Sequence, residues 1–219
     1  PSTCAFFKRT ASDRLNSMEM ESSVKTFLTI DTATDILYVH LMKDGRSVFE
    51  HNEKGHKDHA VKLLPTLIQA LESSGLKGPD LDGILVGVGP GSYTGVRMGV
   101  VVAKMWAKEW DVPLFKISTL ALMASAKTRL TMAMIDARNQ HVFAGAYDFS
   151  LPEPCLLKPG YYSRAFLAET YPEMDALETF DPNLEIIHNA QAYEKVKSID
   201  DLTPDYVRKT QAEKERHDS

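Results

Sequence analysis

The residues best placed by type and spacing to do chemistry fall into separate clusters along the chain. The run Gly89-Pro90-Gly91-Ser92-Tyr93-Thr94-Gly95-Val96-Arg97 follows an apolar stretch and precedes a helical pattern. Glycines there allow close backbone approaches, and Ser92 or Thr94 could cap a helix whose free N–H groups hold a phosphate or carboxylate. Asp31 with Thr32, and Asp136 with Arg138, each end a β-branched or apolar run. Carboxylates at strand ends could serve metal-assisted hydrolysis or phosphoryl transfer. His56 and His59 form an H-x-x-H pair near a helix start, which a metal site could use.

Spacing rules out several of these chemistries. A phosphate-binding P-loop needs Lys-Ser/Thr after its last glycine, and Gly95 is followed by Val96 and Arg97. The dinucleotide pattern lacks its third glycine, because Ser92 stands there. Ser92 is not in a G-x-S-x-G elbow, since Tyr93 and Thr94 follow it. Nuclease chemistry needs several converging carboxylates, and beyond Asp31 the neighbouring strand ends in Gly87-Val88-Gly89. No third ligand accompanies the histidine pair, so a solvated face is the better reading. For the glycine turn, anion binding and a bare strand-to-helix junction both stay open.

The elements that must position these residues follow from periodicity. A strand is predicted over 26–30, then strands over 36–42 and 47–51 joined through Lys43-Asp44-Gly45-Arg46, a hairpin signal. A helix over 58–74 carries Ala60, Leu63, Leu64, Leu67, Ile68 and Leu71, with Pro65 expected to bend it. The strand over 84–88, the glycine turn and its helix come next, then a strand over 114–117 and a helix to about 127. Antiparallel strands followed by alternating helices and strands read as an α/β, ribonuclease H-like arrangement with a mixed sheet. Ile135-Asp136 followed by Val142, Ala144 and Ala146 echoes Ile30-Asp31 followed by Leu37, Val39 and Leu41. A duplicated fold would set Asp31 and Asp136 facing each other across a cleft. The second copy is reduced, with a proline-containing loop over 151–159 and regular structure only at 165–170, 185–188 and 190–196.

Composition bounds the rest. The chain has 219 residues, 25% charged and 43% hydrophobic, enough for a sizeable core. A formal net charge of −5 argues against broad non-specific nucleic-acid binding. No apolar run reaches the ~20 residues of a membrane-spanning helix. Cys4 and Cys155 are far apart, which fits a reduced, cytoplasmic setting better than a disulfide framework. Residues 1–23 read as a flexible extension or leader, with Met18 or Met20 as an alternative start.

The helix after the glycine turn carries two stripes. Met98, Val101, Val102, Met105 and Trp106 are apolar, while Gly95, Gly99, Ala103 and Ala107 are small and recur every fourth residue. One stripe is expected to cover the sheet. The other, if exposed, would be an interaction surface.

At this point the residues resemble a known family. The glycine run, Ile30-Asp31-Thr32-Ala33-Thr34, Ile135-Asp136-Ala137-Arg138 and the ending Pro204-Asp205-Tyr206-Val207-Arg208-Lys209 are similar to the TsaB (YeaZ) family. The resemblance implies an actin-like ATPase fold with a first lobe over 24–128 and a smaller second lobe over 129–219. It implies a non-catalytic scaffold or activator in threonylcarbamoyladenosine (t6A) synthesis on tRNA. The implied partners are a TsaD-type threonylcarbamoyltransferase and a TsaE-type ATPase, with a homodimer in isolation and tRNA reached through the complex. The first-lobe helices would supply the partner or dimer interface, through Leu63, Leu67, Leu71, Gly95, Met98, Gly99, Val101, Val102 and Met105. Asp31, Thr32, Thr94, Arg97, Asp136 and Arg138 would be a vestigial nucleotide or anion site. The segment 186–190 lacks the Gly-Gly pair of an adenosine site, so no cofactor is expected on this chain alone; ATP and a metal ion are expected on the partners. The rival reading is an actin-fold small-molecule kinase or ATPase working across Asp31 and Asp136. A further one, proteolysis of the partner, finds no nucleophile constellation.

Overall fold

The computed structural model describes residues 26–55 and 58–207. The extension over 1–23 with Cys4, His56 of the histidine pair, and Arg208 and Lys209 of the terminal motif lie outside them.

Strands β1 (Phe27–Asp31), β2 (Ile36–Lys43) and β3 (Arg46–Lys54) form an antiparallel meander. Asp44 and Gly45 both take positive φ, 58° and 71°, the left-handed backbone that a tight hairpin needs and that Asp-Gly tolerates. Helix α1 (His59–Ser73), a 3-10 turn (Gly78–Asp80), β4 (Gly83–Gly87), α2 (Tyr93–Glu109) and β5 (Leu114–Ile117) follow. Strand β1 pairs in parallel with β4, and β4 with β5, which the crossover helices make possible.

Alternation along the strands assigns the two faces of this sheet. Leu28, Ile30, Val39, Leu41, Ile84 and Val86 share one core with the inner residues of α1 and α2. Phe27, Tyr38, Leu85 and Phe115 turn the other way, against α3 (Thr119–Ala124). Every residue of α3 is buried, so it has no polar face to read. It ends at Ala124 rather than near 127, because Ala126 and Lys127 donate to Met123 and Ala124 in tighter turns.

A second sheet comprises β6 (Thr131–Asp136), β7 (His141–Tyr147), β8 (Cys155–Ser163) and β9 (Ala176–Leu177), in the order β8-β7-β6-β9. The β6–β7 pair repeats β1–β2, with Asp136 opposite Val142 where Asp31 lies opposite Tyr38. Strand β8 corrects the loop expected over 151–159. Pro159 is accommodated because β8 is an edge strand and its pairing with β7 shifts register between Ala144 and Ala146. Helices α4 (Arg164–Thr170) and α5 (Leu184–Asn189) and strand β10 (Glu194–Lys195) complete the described chain.

The division into lobes at 128/129 needs two amendments. Strand β10 pairs with β5, making the first sheet six-stranded in the order β10-β5-β4-β1-β2-β3. Leu202 joins the core beneath α2, so the described chain returns to the first sheet after β10. Ala133 and Tyr147 of the second sheet pack in the same core as Phe27 and Tyr38 of the first, around α3. The two sheets are therefore joined by a common core rather than by a linker.

Candidate functional site

The glycine turn and the turn after β1 grip each other. A Cβ at Gly91 would overlap the carbonyl oxygen of Ala33, one at Gly95 the carbonyl oxygen of Thr32, and one at Gly87 the Asp31 carboxylate. Ser92 N donates to Ala33 O at 2.6 Å, and Thr32 Oγ1 donates to Gly95 O at 2.6 Å. The glycines are thus required by close packing of one turn on another. Ser92 Oγ accepts from Gly95 N at 3.3 Å, so the start of α2 is capped from within.

Asp31 is fully buried. One carboxylate oxygen accepts from Ala33 N at 2.8 Å and the other from Thr119 Oγ1 at 2.7 Å. Burial pushes its carboxyl up to about 6, with the two hydrogen bonds opposing the rise. Gly89 N in turn donates to Thr119 Oγ1 at 3.2 Å, and Tyr147 Oη of the second sheet donates to Ser118 Oγ at 3.3 Å. Turn, helix α3 and second sheet are thereby linked.

This geometry corrects the picture of Asp31 and Asp136 facing each other across an open cleft. Asp31 is closed off, whereas the Asp136 side chain is 66% exposed and lies 3.8 Å from Arg164. Arg138 is exposed at the β6–β7 tip with φ 66°. Thr94 is exposed at the start of α2. Arg97 is engaged elsewhere: its Nε donates to Tyr206 Oη at 2.6 Å, and its guanidinium lies 4.1 Å from the centre of the Tyr93 ring. Asp31 and Thr32 are brought to the glycine turn, but Asp136 and Arg138 are not. Residues 186–190 form the end of α5, with Ile187 wholly buried. His59 is half-buried rather than solvated; its Nε2 is shielded, and a Cβ on Gly55 would overlap it. Among the described residues no group of three or more His, Cys, Asp or Glu could hold a metal ion.

The helices settle which stripe faces where. In α2 the small stripe is the inner one: Gly95, Gly99, Ala103 and Ala107 are buried, and Gly99 lies against Thr32. Val101 and Met105 are exposed, at 61% and 49%, while Met98 and Val102 are half-buried. In α1 the expected surface residues Leu63, Leu67 and Leu71 are instead core, at 1%, 0% and 8% exposure. Val61, Leu64 and Ile68 are the outward apolar residues. Small side chains could have signalled this: Thr66 and Ala70 flank the buried leucines, as the glycines and alanines do in α2. Helix α1 packs on β2 and β3, and α2 on β4 and β1, so the two outer faces are neighbours on one side of the sheet. Gly95 and Gly99 likewise cannot be surface contacts.

Two mixed sheets joined through a buried helix, with paired strand-end turns, define an α/β protein of the actin-like, ribonuclease H-like class, its second sheet the smaller. A family model described as TsaD, tRNA N6-adenosine threonylcarbamoyltransferase, matches residues 51–153. The tRNA threonylcarbamoyladenosine biosynthesis protein TsaB of Bacillus subtilis (strain 168) is 34% identical over 127 residues, 57% of this chain and 56% of that protein. Its counterpart in Escherichia coli (strain K12) is 37% identical over 125 residues, 55% and 54% of the two chains. These matches span about half the length of each relative. A crystal structure from Pseudomonas aeruginosa, described as an uncharacterized protein with similarity to peptidase YEAZ, superposes with TM-score 0.70 at 25% identity, covering 84% of this chain and 100% of that one. YeaZ from Pseudomonas aeruginosa gives 0.66 at 25% identity, covering 83% and 99%. Over these spans the chain is similar to TsaB and YeaZ proteins.

Proposed function

We propose that this chain acts in threonylcarbamoyladenosine synthesis on tRNA, as a non-catalytic scaffold or activator that binds a TsaD-type threonylcarbamoyltransferase. The observation that carries this reading is the pair of outward apolar faces, Val61, Leu64 and Ile68 on α1 beside Val101 and Met105 on α2. The core beneath is already filled by their inward neighbours, so these faces are available to a second protein. A second copy of the chain would use the same face when the transferase is absent. ATP and a metal ion belong to the partner subunits, a TsaE-type ATPase joins them, and tRNA is met through the assembly in the cytoplasm.

The closed turn supports a role without chemistry of its own. A phosphate-binding turn needs free backbone N–H groups, yet Ala33 N is bound to Asp31 and Ser92 N to Ala33 O. The same closure weighs against the kinase reading. Among the described residues no helix is long and apolar enough to cross a membrane.

The test is co-purification with the transferase, followed by an assay of tRNA modification. Val101→Asp or Met105→Asp would bury an unpaired charge in the interface, so the complex and its activity should be lost while the chain stays folded. An intact complex with both variants would remove this reading. Calorimetry with ATP and magnesium separates the kinase alternative, which requires binding heat from the chain alone.

A further inference from the structure

Residues 197–206, near the end of the described chain, cross the flank of α2 from one end to the other. Near the helix C-terminus Lys104 Nζ donates to Asp200 O at 2.8 Å and to Leu202 O at 3.0 Å, and Lys108 forms an ion pair with Asp200. Toward the helix N-terminus, Asp205 N donates to Val88 O at 2.8 Å, at the entry to the glycine turn. At the helix N-terminus Tyr206 accepts from Arg97, and its ring centre lies 4.9 Å from that of Tyr93. Positions 93, 97, 104 and 108 lie on one line along a 3.6-residue helix. The outward Val101 lies one turn from Arg97 and from Lys104, beside that line.

We infer that this C-terminal strap is a clasp that positions α2, with Arg97 and Tyr206 as positioning residues for the TsaD-type transferase docking on Val101 and Met105. The clasp is held by polar contacts on the surface and by few buried groups. Leu202 is the only buried residue of this segment, with Ile199 half-buried beside it. A segment with so little apolar burial opens locally far more readily than the sheet beneath it. When it opens, α2 loses its cap-side ring contact and both lysine anchors, and the strap wall next to Val101 is gone. Docking and clasp closure are then coupled: a partner that covers Val101 favours the closed strap, and a closed strap favours the partner to the same degree.

The use of the docking face rests on the function proposed above, whereas the grip of the strap on α2 does not. Two measurements keep them apart. In the free chain, hydrogen exchange of the α2 amides is compared between the unmodified chain, Tyr206→Phe, which keeps the ring but loses the acceptor, and Tyr206→Ala, which loses both. Exchange in α2 should quicken by about tenfold in Tyr206→Ala and less in Tyr206→Phe. With the TsaD-type transferase of the same organism, Tyr206→Ala should weaken affinity by about five- to tenfold, and the transferase should slow exchange in 197–206. Lys104→Met provides an independent opening of the clasp should Tyr206→Ala fold poorly. Unchanged α2 exchange in both variants overturns the clasp; loosened α2 with unchanged affinity overturns its role in docking. If the unmodified chain does not bind the transferase, the docking reading fails, and the exchange comparison decides the clasp alone.

Discussion

Thr119 Oγ1 donates to the Asp31 carboxylate at 2.7 Å, and both side chains are wholly shielded from solvent. Burial raises the Asp31 carboxyl from 3.8 to about 6. The folded state therefore holds its proton more tightly than the unfolded chain, and stability falls as pH rises from about 4 to about 6. His40 on the neighbouring strand has the opposite sense. Burial lowers it from 6.5 to about 4, so it costs stability as pH falls through the same window. Asp31→Asn should remove the first slope, stabilising the chain at pH 7.5 by on the order of 1–3 kcal/mol with little change near pH 4. Urea denaturation at the two pH values checks this, and the variant's stability should rise with pH between them as His40 loses its proton.

Gly95→Ala should be far more damaging than its size suggests. Its Cβ would overlap the Thr32 carbonyl oxygen, a backbone atom that cannot swing away, so a cost of about 3 kcal/mol or more is expected. Gly45→Ala is the comparison, with open space but φ 71°, and should cost about 1 kcal/mol. Thermal melts of the two variants should separate by several degrees.

Leu67 and Ile68 are consecutive in α1 and face opposite ways, one at 0% and the other at 48% exposure. Leu67→Ala should cost about 2–5 kcal/mol by leaving a cavity. Ile68→Ala should fall within about 0.5 kcal/mol of the unmodified chain yet weaken the transferase complex. Denaturation paired with affinity measurement tells the residues apart.

Met105→Asp should leave the melting temperature almost unchanged, because the side chain is 49% exposed, while complex formation drops by about a hundredfold or more. Trp106→Ala, its buried neighbour at 8% exposure, should instead unfold the chain by about 3–5 kcal/mol. Circular dichroism melts and pull-down of the transferase distinguish the two outcomes.

Much of the first sheet can be read directly from the chain. Apolar alternation marks β1 and β2, Asp44-Gly45 marks their hairpin partner, and the stretch before Pro90 marks β4. Helix α2 was legible from its cap Ser92 and its closing Trp110 region. The second sheet is harder. Pro159 argues against a strand by its missing donor, and only the edge position of β8 and its register shift reconcile the two. Of the candidate site, Asp31 and Thr32 were found by their place at a strand end, but the fate of Arg97 was not, because its partner Tyr206 is 109 residues away.

What the sequence by itself determined is the set of local choices: glycines where one turn must touch another, stripes that give each helix an inner and an outer side, and the motifs that resemble the TsaB (YeaZ) family. Local periodicity and backbone sterics are sufficient for these, since they depend on neighbours a few residues apart. Which stripe of α1 and α2 faces the sheet, whether Asp31 meets solvent, and where residues 197–206 run were decided only by tertiary structure. Each depends on groups brought together across the chain, as Thr119 is to Asp31 and Asp200 to Lys104. A helix with apolar residues over half its circumference has two plausible inner faces, and it is the close approach of Thr32 to Gly95 and Gly99 that selects one.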